Sequence, residues 1–130
     1  MGVAALSTEG RIYRAAGADD AAFHYRYAVG AALQQAATYR DYHLAAVAVV
    51  AAPGHTARVS YRDRQYGYEF SSFNAKRELP AIKLIVIQQS QDGSHELRMT
   101  TFEEALPGAF SAASFMPDAV DRFLAEKADR

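Results

Sequence analysis

Hydrophobic and polar residues alternate most clearly in the second half of the chain, on both sides of an Asp-Gly pair. An apolar run occupies residues 82–87, an alternating run occupies residues 96–101, and Asp92-Gly93 lies between them. Asp-Gly between two β-prone runs is typical of a β-hairpin, because a two-residue type I′ turn needs positive φ at both central positions. The pattern predicts a hairpin in which Val86 faces Met99 across the two strands.

Three further strands are predicted before this hairpin. Valine occupies three of the four positions 47–50, which favours a strand over 44–52, although an Ala-rich run of this kind also suits a continued helix. Residues 56–62 alternate between apolar and polar, and a turn near Arg64 would return the chain as a strand over 68–72. With the hairpin, these segments predict five strands that pair in sequence order.

A helix is predicted on each side of these strands along the chain. Asp19 and Asp20 suit a helix N-cap and first turn, and the apolar stripe that follows predicts a helix over about 20–39. Pro117 suits the first position of a second helix over about 118–128. The predicted fold is therefore α+β, with a single antiparallel five-stranded meander sheet flanked by an N-terminal and a C-terminal helix.

Length and composition bound the domain organisation. A chain of 130 residues suffices for one domain with its own core, and we predict a partly ordered lead-in over 1–18 and a single α+β domain over 19–130. The absence of Cys excludes thiol catalysis, thiolate metal sites and disulfides. No secretory signal and no apolar run of membrane-spanning length is visible, so we predict a cytoplasmic protein without a membrane partner.

Sequence motifs for common enzyme chemistry are missing. There is no Gly-rich phosphate loop and no G-x-S-x-G nucleophile motif. The four histidines are scattered singly, and this spacing argues against a metal site. The carboxylates nearest the predicted sheet are better explained as helix first-turn or cross-strand residues; they are Glu69, Glu96, Glu103 and Glu104. We therefore predict no cofactor, and a small non-catalytic interaction or binding module rather than an enzyme.

Two alternative functions remain open. A ligand-binding or enzymatic domain would need a pocket of Tyr, His and Glu side chains between helix 20–39 and the sheet. Single-stranded nucleic-acid binding would use the arginines that recur beside aromatic residues, because bases stack on Tyr and Arg contacts phosphate. The residues of this candidate surface are Arg58, Arg62, Arg64, Tyr66 and Lys76. A formal net charge of −1 gives little attraction for phosphates, so a protein partner or a homodimer is favoured over nucleic acid.

The strand over 82–87 carries more apolar side chains than one core face uses. In the predicted register, Ile85, Ile87 and Phe102 share the second face of the hairpin. If nothing covers that face, the three residues form an apolar patch that monomers rarely leave bare. We predict them as a candidate dimer patch; the alternative is that a helix or the loop 109–116 covers them.

Overall fold

The computed structural model of the chain describes residues 1–19, 25–109, 111, 113 and 116–128. The strands in these ranges are β1 (Gly2–Ser7), β2 (Ile12–Ala16), β3 (Ala18–Asp19), β4 (Tyr25–Arg26), β5 (Leu44–Val50), β6 (Lys83–Gln89) and β7 (His95–Thr101). The helices are α1 (Ala28–Thr38), α2 (Tyr61–Lys76), α3 (Phe102–Ala105) and α4 (Pro117–Ala128). None of these helices has the length and apolar character needed to cross a membrane.

Five of the strands form one mixed sheet in the order β2-β1-β5-β6-β7. β5 and β6 are parallel, whereas the other neighbouring pairs are antiparallel. A parallel pair needs a long crossover connection, and α2 lies in that connection. The α+β class and the five-stranded sheet are confirmed, but the single antiparallel meander is wrong. The segments predicted as its second and third strands, 56–62 and 68–72, form other elements. Residues 56–60 belong to a loop that leads into α2, and the remaining residues belong to α2 itself.

The two strands that replace them come from the start of the chain. Residues 2–16 form the antiparallel pair β1 and β2, and β1 pairs with β5 on its other side. The sequence predicts only a partly ordered lead-in over 1–18, because this segment is rich in Ala and Gly and lies at the start of the chain. Here a neighbouring strand and a covering helix hold the segment, since Val3, Ala5 and Tyr13 are buried in the core beside α1.

α1 begins later than the sequence predicted. Ala18–Asp19 pairs with Tyr25–Arg26 as a two-stranded ribbon, and the helix starts at Ala28 rather than near residue 20. The predicted first-turn residue Asp20 lies outside the described residues. From Ala28 onward the predicted stripe is confirmed; its buried members are Val29, Ala32, Leu33 and Ala36. α4 is also confirmed, with Val120 and Leu124 buried.

α2 escaped prediction because its buried stripe is polar or small. Asp63, Gly67, Ser71 and Asn74 are buried, and their spacing of four, four and three residues places them on one helix face. The hydroxyl of Ser71 donates to Glu103, and the amide of Asn74 donates to the carbonyls of Leu44 and Pro80 at 2.7 and 3.0 Å. Hydrogen bonds and close backbone approach therefore hold this buried face in the core, while Tyr68 and Phe70 of the same helix pack against the core with partly buried rings.

The predicted hairpin joins β6 and β7, but its turn is one residue longer than a type I′ turn. Ser90 and Ser94 close the loop through a backbone hydrogen bond of 2.8 Å. Gly93 has φ +88°, whereas Asp92 is not among the residues with positive φ. A three-residue loop with glycine in the left-handed region fits these values.

The longer loop shifts the strand register by one residue. Val86 faces Arg98 rather than Met99, and Met99 faces Ile85. Because side chains alternate across a strand, this shift moves Met99 to the sheet face of Ile85. The predicted composition of the two hairpin faces is therefore wrong, although the hairpin itself is present.

Gly93→Ala is expected to lower the free energy of unfolding by about 1 kcal/mol. No atom lies within 4 Å of a Cβ built at this position, so backbone strain is the main cost. Urea denaturation measures the effect. Gly93→Asn is the control and is expected to lose clearly less, because asparagine tolerates the left-handed region. Equal losses for the two variants would contradict the turn geometry.

The hydrophobic core lies between α1, α2 and one face of the sheet. α1 packs on β1 and β2, and α2 packs beside α1 and over β5. The sheet contributes the buried side chains Val3, Ala5, Val47, Val49 and Leu84 to this core. This arrangement brings the N-termini of the two helices together.

Candidate functional site

The N-termini of α1 and α2 meet at a buried carboxylate. Asp63, in the first turn of α2, accepts hydrogen bonds from the backbone N–H groups of Gly30 at 2.9 Å and Val29 at 3.4 Å. Tyr27, the N-cap residue of α1, makes no capping hydrogen bond with its side chain. Asp63 therefore caps α1 from the neighbouring helix, while Ser60 caps α2 by accepting from the N–H of Asp63 at 3.1 Å.

Burial and hydrogen bonding act on Asp63 in opposite directions. Its side chain is fully buried, and this desolvation raises its pKa above the ordinary value. The backbone hydrogen bonds from Gly30 and Val29 oppose that shift, because they favour the charged form. The carboxylate is thus placed to hold the two helices together, and it is out of reach of a ligand in solvent.

An aromatic trough runs along the surface beside this junction. One cavity of about 590 Å³ lies between α1 and α2, and a second of about 540 Å³ lies at the N-terminus of α2. Tyr27 borders both cavities, and we call the pair the aromatic trough. Its larger side chains are Tyr27, Leu33, Gln34, Tyr61, Arg62, Gln65, Tyr66 and Phe70.

Two of the side chains in the trough pack against neighbouring residues. The ring of Tyr66 lies against α1 at Gly30, where a Cβ would be 2.7 Å from Cδ2 of the ring. The guanidinium of Arg62 lies over the ring of Tyr27, with Cζ 5.0 Å from its centroid. No Asp or Glu is among the described residues that line the trough. Aromatic faces, one cation and amide groups can bind a flat ligand whose edge carries hydrogen-bonding groups.

The structure brings two of the five residues of the predicted Arg/Tyr surface to the trough. They are Arg62 and Tyr66, which are four residues apart and so lie on one side of α2. Arg58 is exposed in the segment before α2. The sequence placed these residues in a strand hairpin, so their shared position arises from a helix that it did not predict.

The other two residues of that surface contact later parts of the chain. Arg64 donates to the carbonyl oxygen of Ala105 at 2.9 Å, and Lys76 forms an ion pair with Asp121 of α4 at 3.1 Å. The guanidinium of Arg64 also lies over the ring of Tyr61, with Cζ 4.8 Å from its centroid. Lys76 therefore stabilises the fold away from the trough, whereas Arg64 stabilises the fold and also contacts one of the trough's rings.

The candidate dimer patch also divides. Phe102 is fully buried, and its ring lies directly on Gly67 of α2, so it belongs to the core and not to a surface patch. The longer hairpin loop is the cause, because it sets Lys83 opposite Thr101 and leaves Phe102 to begin α3. Ile85 and Ile87 remain partly exposed on the sheet face away from α1 and α2. Of the predicted covering loop 109–116, Phe110 and Phe115 lie outside the described residues.

A third cavity, of about 400 Å³ and polar, lies near the C-terminal end of α1. Asp41 is buried there and accepts hydrogen bonds from the hydroxyl of Tyr13 at 2.8 Å and from Arg11 at 3.4 Å. His43 also borders this cavity, and burial lowers its pKa, while the Asn74 side chain opposes the shift. Among the described residues, no three His, Asp or Glu side chains are grouped so as to hold a metal ion.

Sequence reasoning missed the two residues on which the site depends most, Asp63 and Tyr27. One signal for Asp63 was present, since Ser60 and Asp63 have the spacing of a helix-capping pair, S-x-x-D. No local pattern marks Tyr27, because its place depends on where α1 begins.

Comparison with known proteins gives a structural match and no sequence match. The chain matches no protein-family model and no curated protein sequence. Its structure is similar to the crystal structure of cytidine deaminase from Burkholderia pseudomallei, with a TM-score of 0.64 and 25% sequence identity. The match covers 84% of this chain and 80% of the deaminase chain.

This similarity overturns the prediction of a non-catalytic interaction module. The neighbour is an enzyme that acts on a small molecule, so the chain has a fold that serves an enzyme. The finding favours the alternative prediction of a ligand-binding or enzymatic domain. The pocket differs from the predicted one in place and composition, because it lies between two helices and is rich in Tyr rather than in His and Glu.

Proposed function

We propose that the aromatic trough binds a nucleoside-type ligand, that is, a flat base with hydrogen-bonding groups on its edge. The observation that carries this proposal is the similarity of the fold to a cytidine deaminase. The composition of the trough supports it, because Tyr27 and Tyr66 offer aromatic faces beside the amide of Gln65 and the cation of Arg62. Stacking of one base on an aromatic side chain contributes about 1–3 kcal/mol.

The zinc chemistry of nucleobase deaminases does not fit the residues present. Zinc deaminases hold Zn²⁺ with His or Cys and two further Cys, and a Glu moves the proton. This chain has no Cys, and the described residues contain no group of three side chains that could replace such a site. At the junction of α1 and α2, both oxygens of Asp63 already accept backbone hydrogen bonds. The proposal therefore concerns recognition of the ligand and includes no step on a metal.

Isothermal titration of the full chain with cytidine, uridine and adenosine tests this proposal. We expect at least one nucleoside to bind, and Tyr66→Ala to weaken its binding about tenfold through loss of a stacking face. Tyr66→Phe keeps the ring and is expected to bind nearly as the wild type does. Tyr39→Ala is the matched control, because Tyr39 is an exposed tyrosine at the other end of α1. No binding of any nucleoside, or equal losses for Tyr66→Ala and Tyr39→Ala, would refute the proposal.

Chromatography of cytidine incubated with the chain and added Zn²⁺ tests the second part. We expect no more uridine than in the protein-free control, because the donor set for zinc is missing. Zinc-dependent formation of uridine by the chain would show that other side chains supply the donor set for zinc.

A cytoplasmic location stays a prediction from the sequence.

A further inference from the structure

Within the part of the chain that the structure describes, one face of the sheet is open, in contrast to the face that packs on α1 and α2. Paired residues of neighbouring strands lie on the same face, so the register assigns every strand residue to one side. The covered face carries Val3, Val47 and Leu84. The opposite face, which we call the open sheet face, carries the larger apolar side chains Leu6, Ile12, Ile85, Ile87, Leu97 and Met99.

These side chains are exposed to an extent that is unusual for a folded domain. Ile12, Leu97 and Met99 are 62%, 54% and 57% exposed. A sheet face that is open to solvent normally carries polar residues, so large apolar side chains on such a face are unexpected. A contiguous apolar patch of this kind marks an interaction site on most soluble proteins.

The open sheet face has the shape of a shallow valley. Small residues form the middle of its floor on the adjacent strands β1 and β5, namely Gly2, Ala4, Ala46 and Ala48, with Val50 at one end and Leu6 at the other. Bulkier side chains rise on both sides, with Ile12 on β2 and Ile85 on β6. A cavity of about 340 Å³ lies over part of this floor, between Ala4, Ala48 and Ile87. A convex helix fills such a valley, whereas a second copy of the same concave face leaves a gap.

The charges on this face also favour a helix over a second copy of the chain. Its charged residues in the described strands are Arg14 on β2 and Lys83 on β6, one on each side of the valley, with no Asp or Glu. A second copy would bring cations toward cations. A helix with acidic side chains on both flanks would pair with Arg14 and Lys83 while its apolar stripe faces Ala4 and Ala48.

We propose that the open sheet face is the docking site for an amphipathic α-helix of a partner polypeptide. The helix has an apolar stripe of Leu or Ile residues and Asp or Glu residues on both flanks. This proposal rests on the sheet and is independent of the ligand site, which lies on the other side of the molecule along α1 and α2.

Two synthetic peptides test the proposal by fluorescence anisotropy with the full chain. Both have about 18 residues, about 27 Å as a helix, and the same Leu stripe; one carries Glu on both flanks and the other carries Lys. We expect micromolar affinity for the Glu peptide and at least tenfold weaker binding of the Lys peptide. Exchanging both cations, Arg14→Glu with Lys83→Glu, is expected to reverse that preference.

Substitutions on the valley floor locate the binding site. Ala48→Glu is expected to weaken binding of the Glu peptide at least tenfold, while Ala45→Glu, at an exposed bulged position of the same strand, leaves it unchanged. Met99→Glu provides a second test at an exposed position if Ala48→Glu fails to fold.

Light scattering of the chain without peptide tests whether a second copy of the chain occupies the face instead. We expect a mass near the monomer value of 14.2 kDa. A dimer mass that Ala48→Glu or Met99→Glu abolishes would assign the face to a second copy and overturn the proposal. Equal binding of the Glu and Lys peptides, or binding of neither, would also overturn it.

Discussion

Gly67→Ala is expected to lower the free energy of unfolding by about 2–3 kcal/mol, although alanine is the better helix former. A Cβ at Gly67 would lie 2.1 Å from Cε1 of Phe102 and 2.4 Å from Cζ. The ring of Phe102 is fully buried, so it cannot rotate into solvent to relieve the overlap. Either α3 or α2 must move, and overpacking of this kind costs more than the roughly 1 kcal/mol that helix propensity returns.

Chemical denaturation of Gly67→Ala beside Gly30→Ala measures this effect against a matched control. A Cβ at Gly30 would also be too close to a ring, at 2.7 Å from Cδ2 of Tyr66. Tyr66 is 43% exposed, however, and can rotate away. We expect Gly30→Ala to stay within about 1 kcal/mol of the wild type, because the gain in helix propensity offsets the movement of one side chain. A Gly67→Ala variant that also stays within about 1 kcal/mol of the wild type would show that Phe102 is not rigid.

Local periodicity predicted the elements whose buried residues are apolar. The strand over 44–50, the hairpin after residue 82 and the terminal helix all present Val, Ile or Leu at the spacing of their element. α2 lacks this signal, since its buried face is Asp63, Gly67, Ser71 and Asn74. Apolar patterning does not reveal this buried face, because its core contacts are hydrogen bonds and a backbone packed against a ring.

The sheet order depended on that missed helix. Once α2 is taken for two strands, the chain has no crossover connection, and neighbours in sequence are then expected to pair as neighbours in space. The crossover makes β5 and β6 parallel and leaves room for β1 beside β5. Because α2 was missed, two strands of the sheet were assigned to the wrong segments, and the parallel pairing of β5 was not predicted.

The candidate site could be predicted only in part, for a related reason. Arg62 and Tyr66 were chosen from a local Arg/Tyr pattern, and both reach the trough. The contact that builds the junction joins Asp63 to Gly30, which are 33 residues apart in the chain. Such a contact depends on the packing of two helices, and a single sequence gives no local sign of it.

Asp63→Ala is expected to lower the free energy of unfolding by about 3 kcal/mol. The change removes the acceptor for the N–H groups of Val29 and Gly30, at a helix N-terminus that has no side-chain cap of its own. It also leaves a small cavity at a fully buried position. Asp63→Asn keeps one acceptor oxygen and nearly the same volume, and is expected to lose less. Urea denaturation ranks the variants, and an Asp63→Ala variant as stable as the wild type would contradict the capping role.

The stability difference between the wild type and Asp63→Asn is expected to shrink as the pH rises. Burial raises the pKa of Asp63 in the folded chain, so the folded state holds the proton more tightly than the unfolded state does. The contribution of such a group is fully present below its unfolded pKa and is lost as the pH rises through its folded pKa. Asparagine does not titrate, so it provides a constant reference. Denaturation of both proteins between about pH 4 and pH 7 measures the difference. A difference that grows with pH would mean that the hydrogen bonds from Val29 and Gly30 outweigh the cost of burying the charge.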